Sequence, residues 1–191
     1  MRTQLNTNVH GRVLITDTKT GLVLVNKDNA VHPANMAKII ARGLAHESNG
    51  WVYKMALGNG GTYFNTSNQI VYKTPNIIGA AALYNQTYEE QIDDNSTGGP
   101  PPIGNSVYSQ PSPAPLTTHQ VVCVLELDPT EPSGQAVDDV TTTDPESLYT
   151  FDELGLKSQD NLLLTHVIFS PIEKTANRAI TITYTLTISV S

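Results

Sequence analysis

With 191 residues, 39% apolar side chains and 15% charged ones, the chain has the length of one domain with a genuine core. Its single cysteine, Cys123, excludes an intramolecular disulfide framework, and no apolar run reaches the ~18 residues of a membrane-spanning helix. The net charge of −7 is uneven: residues 1–73 carry eight Lys/Arg against three Asp/Glu, residues 74–156 thirteen acids and no Lys or Arg, and residues 157–191 three bases against two acids.

The opening "MRTQLNTNVHGRVLITD" lacks the apolar stretch and small-residue cleavage site of a secretory signal, so a soluble, unprocessed chain is expected. "GRVLITD" and "GLVLVNK" flank "TKT" and predict a β-hairpin whose polar turn ends at Gly21. "VHPANMAKIIARGLAHE" then changes period. Pro33 suits a helix start, Met36, Ile40 and Leu44 recur at every fourth position, and Ile39 and Gly43 widen that stripe. Lys38, Arg42 and Asn35 fall off it, on the face expected to be wetted. "WVYKMAL" and "QIVYK" predict strands on either side of "ALGNGG", and "PNIIGAAALYNQTYEEQIDD" is ambiguous between helix and strand.

Six of the twelve prolines lie from Pro100 to Pro115, so residues 95–117 read as an extended Pro-rich loop or arm, with polyproline stretches rather than sheet. "QVVCVLEL" resumes β-structure and buries Cys123 as an inert thiol. An acidic loop over 128–147 follows. "LYTFDELGLKS" then leads to "NLLLTHVIFSP", which suggests a strand covered on both faces. "AITITYTLTISV" alternates without a break. Ile180, Ile182, Tyr184, Leu186, Ile188 and Val190 share one face, and Thr181, Thr183, Thr185, Thr187 and Ser189 the other, as a strand buried on one side requires. One-sided burial belongs to antiparallel sheets. Residues 1–191 therefore predict a single mainly β domain, an antiparallel β-sandwich or jelly-roll-like fold with one short amphipathic helix.

The glycine run invites comparison with phosphate cradles. A P-loop needs Lys and Ser/Thr after its last glycine, where Thr62, Tyr63 and Phe64 stand, and a dinucleotide fingerprint needs glycine where Tyr63 is. A tight turn with positive φ angles is expected instead. His10, His32, His46, His119 and His166 share no metal-ligand spacing, and His166 reads as a hydrogen-bonded core residue. Asp138, Asp139, Asp144 and Glu146 lack the ladder of a calcium loop. No G-x-S-x-G is present, and the acid pairs of "TFDELG" and "YEEQIDD" are of a kind any acidic protein offers. No metal, cofactor or catalytic residue is expected. Trp51 and Tyr53, two apart on one strand face, are candidates for sugar stacking, but both are expected in the core.

The acidic middle repels phosphate backbones, and the cations from Arg2 to Lys73 stand singly, so direct nucleic-acid binding is not expected. That middle reads either as a solvated surface or as one face of a polarised subunit that docks on a basic face of its neighbour.

Four stretches, "NAVHPANMAKIIARGLA", "MALGNGGT", "LYTFDELGLKS" and "NLLLTHVIFSPIEKTANRAITITYTLTIS", together resemble a family of tailed-bacteriophage virion structural proteins. The resemblance implies a non-enzymatic particle component and carries over no active-site residue. A virion location is thus expected, in the neck, collar or tail, with homo-oligomerisation and contacts to other virion proteins. A capsid decoration protein and a glycan-binding module of a fibre or baseplate are the alternatives. Candidate interface residues are Gly58, Asn59, Gly60 and Gly61, where no side chain keeps a neighbour away, and Pro100, Pro101, Pro102, Pro111, Pro113 and Pro115 of the arm.

Overall fold

The structure is a computed structural model of the chain and describes residues 6–92, 104–113, 117–133 and 150–191. Its frame is one nine-stranded antiparallel sheet that curls into a β-sandwich-like fold. One half begins with the expected hairpin, β1 (Thr7–Asp17) and β2 (Val23–Val31). Asp17 closes its turn by accepting from the Thr20 amide and hydroxyl, both at 2.8 Å, and Gly21 takes a φ of 71° there. β1 pairs along its whole length with the C-terminal strand Ile180–Val190, which pairs in turn with Thr118–Leu127, and that strand with Ser106–Pro111.

The other half holds β3 (Val52–Gly58) at its centre, paired with Gln86–Gln91 on one side and Thr150–Ser158 on the other. The last of these also pairs with Thr165–Glu173. In chain order, β4 (Thr62–Phe64) and β5 (Ile70–Tyr72) form a separate small hairpin. β6 is then Gln86–Gln91, β7 Ser106–Pro111, β8 Thr118–Leu127, β9 Thr150–Ser158, β10 Thr165–Glu173 and β11 Ile180–Val190. Among the described residues, strand pairing passes from one half to the other where β2 meets β10, through Val31 opposite Thr165 and Ala30 opposite His166.

Alternation decides what each strand buries. On β11, Ile180, Ile182, Tyr184 and Leu186 are buried while the threonines between them are half-buried. They share one core with Val13 and Ile15 of β1, Cys123 and Leu125 of β8, and Met55, Leu57, Leu154 and Leu156 from the other half. Cys123 is buried, and burial pushes its thiol well above the usual range. β10 is fully buried from Thr165 to Phe169, covered on both faces as its sequence predicted.

Three expectations need correction. The helix, α1 (Pro33–Leu44), starts at the expected proline, but it buries Met36 and Ile39 while Leu44 is 81% exposed. Its first two turns lie on the sandwich and its end runs off it. Asn35 and Arg42, expected in water, tie it to the turn between β9 and β10: Asn35 Nδ2 donates to the Leu163 carbonyl at 2.8 Å, and Arg42 Nη1 to Asp160 Oδ2 at 2.7 Å. The Pro-rich stretch is not free of sheet, because β7 lies inside it, with Val107 opposite Cys123 and Pro111 opposite His119. Proline is tolerated there because it stands at the end of an edge strand. Trp51, expected in the core, is 42% exposed; it precedes β3 rather than lying in it, so strand alternation does not govern it.

Candidate functional site

The glycine run forms the turn from β3 into β4. Gly58, Asn59 and Gly61 are buried and Gly60 is half-buried, and none of the three glycines has a positive φ. Glycine is required there by crowding. A Cβ on Gly58 would stand 2.3 Å from the Asn85 carbonyl oxygen, on Gly60 2.6 Å from the Asn85 nitrogen, and on Gly61 2.9 Å from Ile168 Cγ2. The close approach that the sequence allowed to a neighbouring chain is made by this chain's own segment. Among the proline candidates, Pro111 and Pro113 are exposed, whereas Pro100, Pro101, Pro102 and Pro115 lie outside the described residues. So does the acidic loop beyond Ser133, with Asp138, Asp139, Asp144 and Glu146.

What the turn binds is anionic, and the anions are the protein's own. Asp152 and Glu153 of β9 are fully buried. Asp152 Oδ1 accepts from the Gly61 amide at 2.8 Å, and its Oδ2 from the Thr62 amide at 2.7 Å and from the Thr62 hydroxyl. Glu153 Oε1 accepts from the amides of Gly60 at 3.1 Å and Asn85 at 2.7 Å, while Oε2 accepts from the Tyr84 amide and from His166 Nε2, each at 2.9 Å. Successive backbone amides thus form a nest for negative charge of the kind that elsewhere holds phosphate, here filled by side-chain carboxylates. Each carboxylate satisfies donors that could not otherwise be buried.

The two acids differ electrostatically. Burial pushes Asp152 above its ordinary value; the Thr62 hydroxyl and the Gly61 and Thr62 amides pull it back in part, and the neighbouring Glu153 charge pushes it up further. Burial would raise Glu153 as well. The hydrogen bonds from His166 and from the Asn85 and Tyr84 amides outweigh it and hold the carboxyl below its usual range.

Residues 73–85 run as a strap across this network. The Lys73 amide donates to Gly61 O at 2.8 Å and its Nζ to Gly60 O at 2.7 Å. The Asn76 amide donates to His166 Nδ1 at 2.8 Å, and His32 Nε2 to Gly79 O at 3.1 Å. Beneath the strap, Leu83 packs with Ala56 and Leu163 in a small cluster apart from the main core. Of the ambiguous "PNIIGAAALYNQTYEEQIDD", residues 75–85 are therefore neither helix nor strand, and Gln86–Gln91 is strand β6. His166 is the hydrogen-bonded core residue its sequence context predicted.

The sequence reasoning missed Asp152, Glu153 and His32 as members of this site. The available signal was "FDEL" itself: adjacent acids inside an otherwise apolar strand must find buried donors, and a glycine-rich turn offers unpaired amides. Chemically, the oxygens of both carboxylates are engaged by the chain itself, and both groups are shut away from solvent. Among the described residues no group of three or more His, Cys, Asp or Glu is placed to hold a metal ion, and no helix is long and apolar enough to cross a membrane. No known protein family matches the chain, and neither a curated protein nor a solved structure is significantly similar to it.

Proposed function

We propose that the chain is a non-enzymatic structural subunit of a tailed-phage virion, assembling with itself and with neighbouring virion proteins in the neck, collar or tail. The observation that carries this reading is that the four stretches resembling the phage family interlock. "MALGNGGT" is bound to "LYTFDELGLKS" through Asp152 and Glu153, and Glu153 to the C-terminal stretch through His166. The helical stretch joins the same unit through the His32 amide on Leu164 O at 2.9 Å and through Asn35 on Leu163 O. The residues behind the resemblance thus form one scaffold, and their polar groups serve its cohesion. Such a scaffold suits a subunit whose task is to hold shape within a symmetric assembly.

Native mass spectrometry of the isolated chain tests self-assembly. A closed homo-oligomer is expected, and a monomer at every concentration counts against the reading. The glycan-binding alternative gains from one observation. Trp51 is exposed and lines a groove of about 220 Å³ with Val107, Val121, Leu186 and Ile188, and sugars stack on such rings. A glycan array probed with the chain and with Trp51→Ala separates the two, since a signal lost on that substitution favours glycan binding.

A further inference from the structure

The nine-stranded sheet ends in β6 on one side and β7 on the other, and the two ends are finished differently. β6 carries Glu89 and Glu90, and its pairing with β3 shifts register between Leu57 and Gly58, so charge and irregular pairing both discourage a further strand. β7, "SVYSQP", has no charged residue and pairs with β8 from Ser106 to Pro111 without a shift. The Ser112 amide donates to Thr118 O at 3.2 Å, and this fixes which backbone groups face which way. Hydrogen-bonded positions alternate along an antiparallel pair. Ser112, Gln110, Tyr108 and Ser106 thus turn their amides and carbonyls to β8, while those of Val107 and Ser109 turn to the free edge. The Val190 amide on Thr117 O at 3.1 Å agrees, since it turns Thr117 and every second residue after it toward β11. Among the described residues no strand lies along the free edge of β7, and Ser109 is exposed there.

We infer, resting on the self-assembly proposed above, that this edge is a self-docking surface: β7 of one chain pairs antiparallel with β7 of a second copy across a two-fold axis and joins their sheets. A strand edge recognises another strand, because its donors and acceptors recur at matching spacing. A segment without charge faces its own copy free of like-charge repulsion, which β6 cannot do. The sequence then selects the register. With Tyr108 on the axis, Val107 faces the partner's Ser109 and Ser109 the partner's Val107, so the free amides and carbonyls of both chains are all used. Moving the axis to Ser109 sets Val107 against the partner's Pro111, which has no N–H, and leaves the Val107 carbonyl unpaired. Moving it to Val107 sets Ser109 against the partner's Asn105, which precedes the strand and whose side chain is held by the Glu126 amide at 2.9 Å.

The side chains suit the same register. Tyr108 is half-buried and meets the partner's Tyr108 at a non-hydrogen-bonded position, where side chains stand closest and aromatic pairs stabilise a ladder. On the opposite face, Val107 packs against the main core and lines the groove beside Trp51, so an added strand extends an apolar surface already begun. A two-fold contact of this kind builds pairs. A ring made from them holds an even number of chains and closes through a second contact elsewhere on the surface.

Amide hydrogen exchange, native mass spectrometry and oxidative crosslinking of the intact chain test the contact. In the native chain the Val107 and Ser109 amides should gain protection as concentration rises. Ser109→Pro removes an amide from the free edge and none from the β8 ladder, and a two-fold contact loses that bond twice. The dissociation constant of the pair should rise about tenfold or more, with the urea midpoint unchanged at monomeric dilution. Tyr108→Cys places two thiols across the axis at a Cα separation of about 4.5 Å, within disulfide reach, and mild oxidation should give a covalent dimer. Gln110→Cys has no counterpart thiol opposite it and should give several-fold less, and buried Cys123 none in the native chain. A monomer at every concentration contradicts self-assembly and the contact with it. An oligomer that leaves Val107 and Ser109 unprotected, that is unaffected by Ser109→Pro, or that crosslinks as readily through Gln110→Cys as through Tyr108→Cys overturns this contact alone. The exchange measurement on the native chain decides it even where a variant fails to fold.

Discussion

At Gly58 the available space is set by one carbonyl and one carboxylate: a Cβ would lie 2.3 Å from Asn85 O and 2.6 Å from Glu153 Oε1. The carbonyl belongs to backbone and cannot swing aside, so Gly58→Ala should destabilise the fold by about 2 kcal/mol through forced displacement of the strap. A lower urea midpoint with an unchanged slope is the expected measurement. In the sequence, Gly58 to Gly61 were legible as backbone geometry that joins two strands. The reason for the glycines was not legible. It depends on Asn85 and on carboxylates such as Asp152, 91 positions from Gly61, and no local pattern reports a contact at that separation. The expected positive φ angles were a local explanation for a crowding that is tertiary.

Among the elements, the helix shows most clearly what periodicity omits. Spacing identified an amphipathic helix at Pro33, but which turns meet the sandwich depends on where the sheet ends. Ile39→Ala should therefore cost about 2–4 kcal/mol by leaving a core cavity, while Leu44→Ser should change stability by less than about 0.5 kcal/mol. Thermal unfolding of the two variants checks the contrast, which reverses if the stripe through Leu44 is the packed one. β11 was legible as a strand because its alternation is unbroken; its inward face is buried from Ile180 to Leu186, whereas Ile188 and Val190 are only half-buried. β7 was hidden by the prolines around it and by Pro111 at its end, although "SVYSQ" needs only an edge position to pair.

β6 is the other edge strand, and charge tethers it. Glu89 accepts from Lys54 at 2.7 Å and from Lys157 at 2.9 Å. Partial burial alone would raise its carboxyl, but hydrogen bonds from Lys54, Lys157 and Gln86 outweigh this and hold it at about 2, against an ordinary 4.5. A depressed carboxyl stabilises the fold above its unfolded value, and the contribution is lost as pH falls from about 4.5 through about 2. Glu89→Gln should accordingly flatten the acid limb of the stability curve in that window. An acid limb identical to that of the native chain contradicts the tether.

On the scale of the whole molecule, the charge asymmetry of the sequence takes a different form. The described residues hold ten Lys/Arg and twelve Asp/Glu and are together close to neutral. Asp93, Asp94, Asp138, Asp139, Asp144 and Glu146, outside the described residues, hold most of the net charge. The cations of the first third are in part consumed at home, Arg42 by Asp160 and Lys54 by Glu89. The fold class was legible because strand alternation, one helix and the absence of other periodicity all pointed the same way. The strap and its joint were not, since their bonds run between segments without period.

The central claim is that this chain is a building part of a virion, and quantitative mass spectrometry of purified particles tests it most directly. The account predicts the chain in intact particles at the copy number of a closed ring, about six or twelve or a small multiple. Hundreds of copies would move it to the head surface as a decoration protein. A chain found only in the soluble fraction, and absent from particles, would contradict the account.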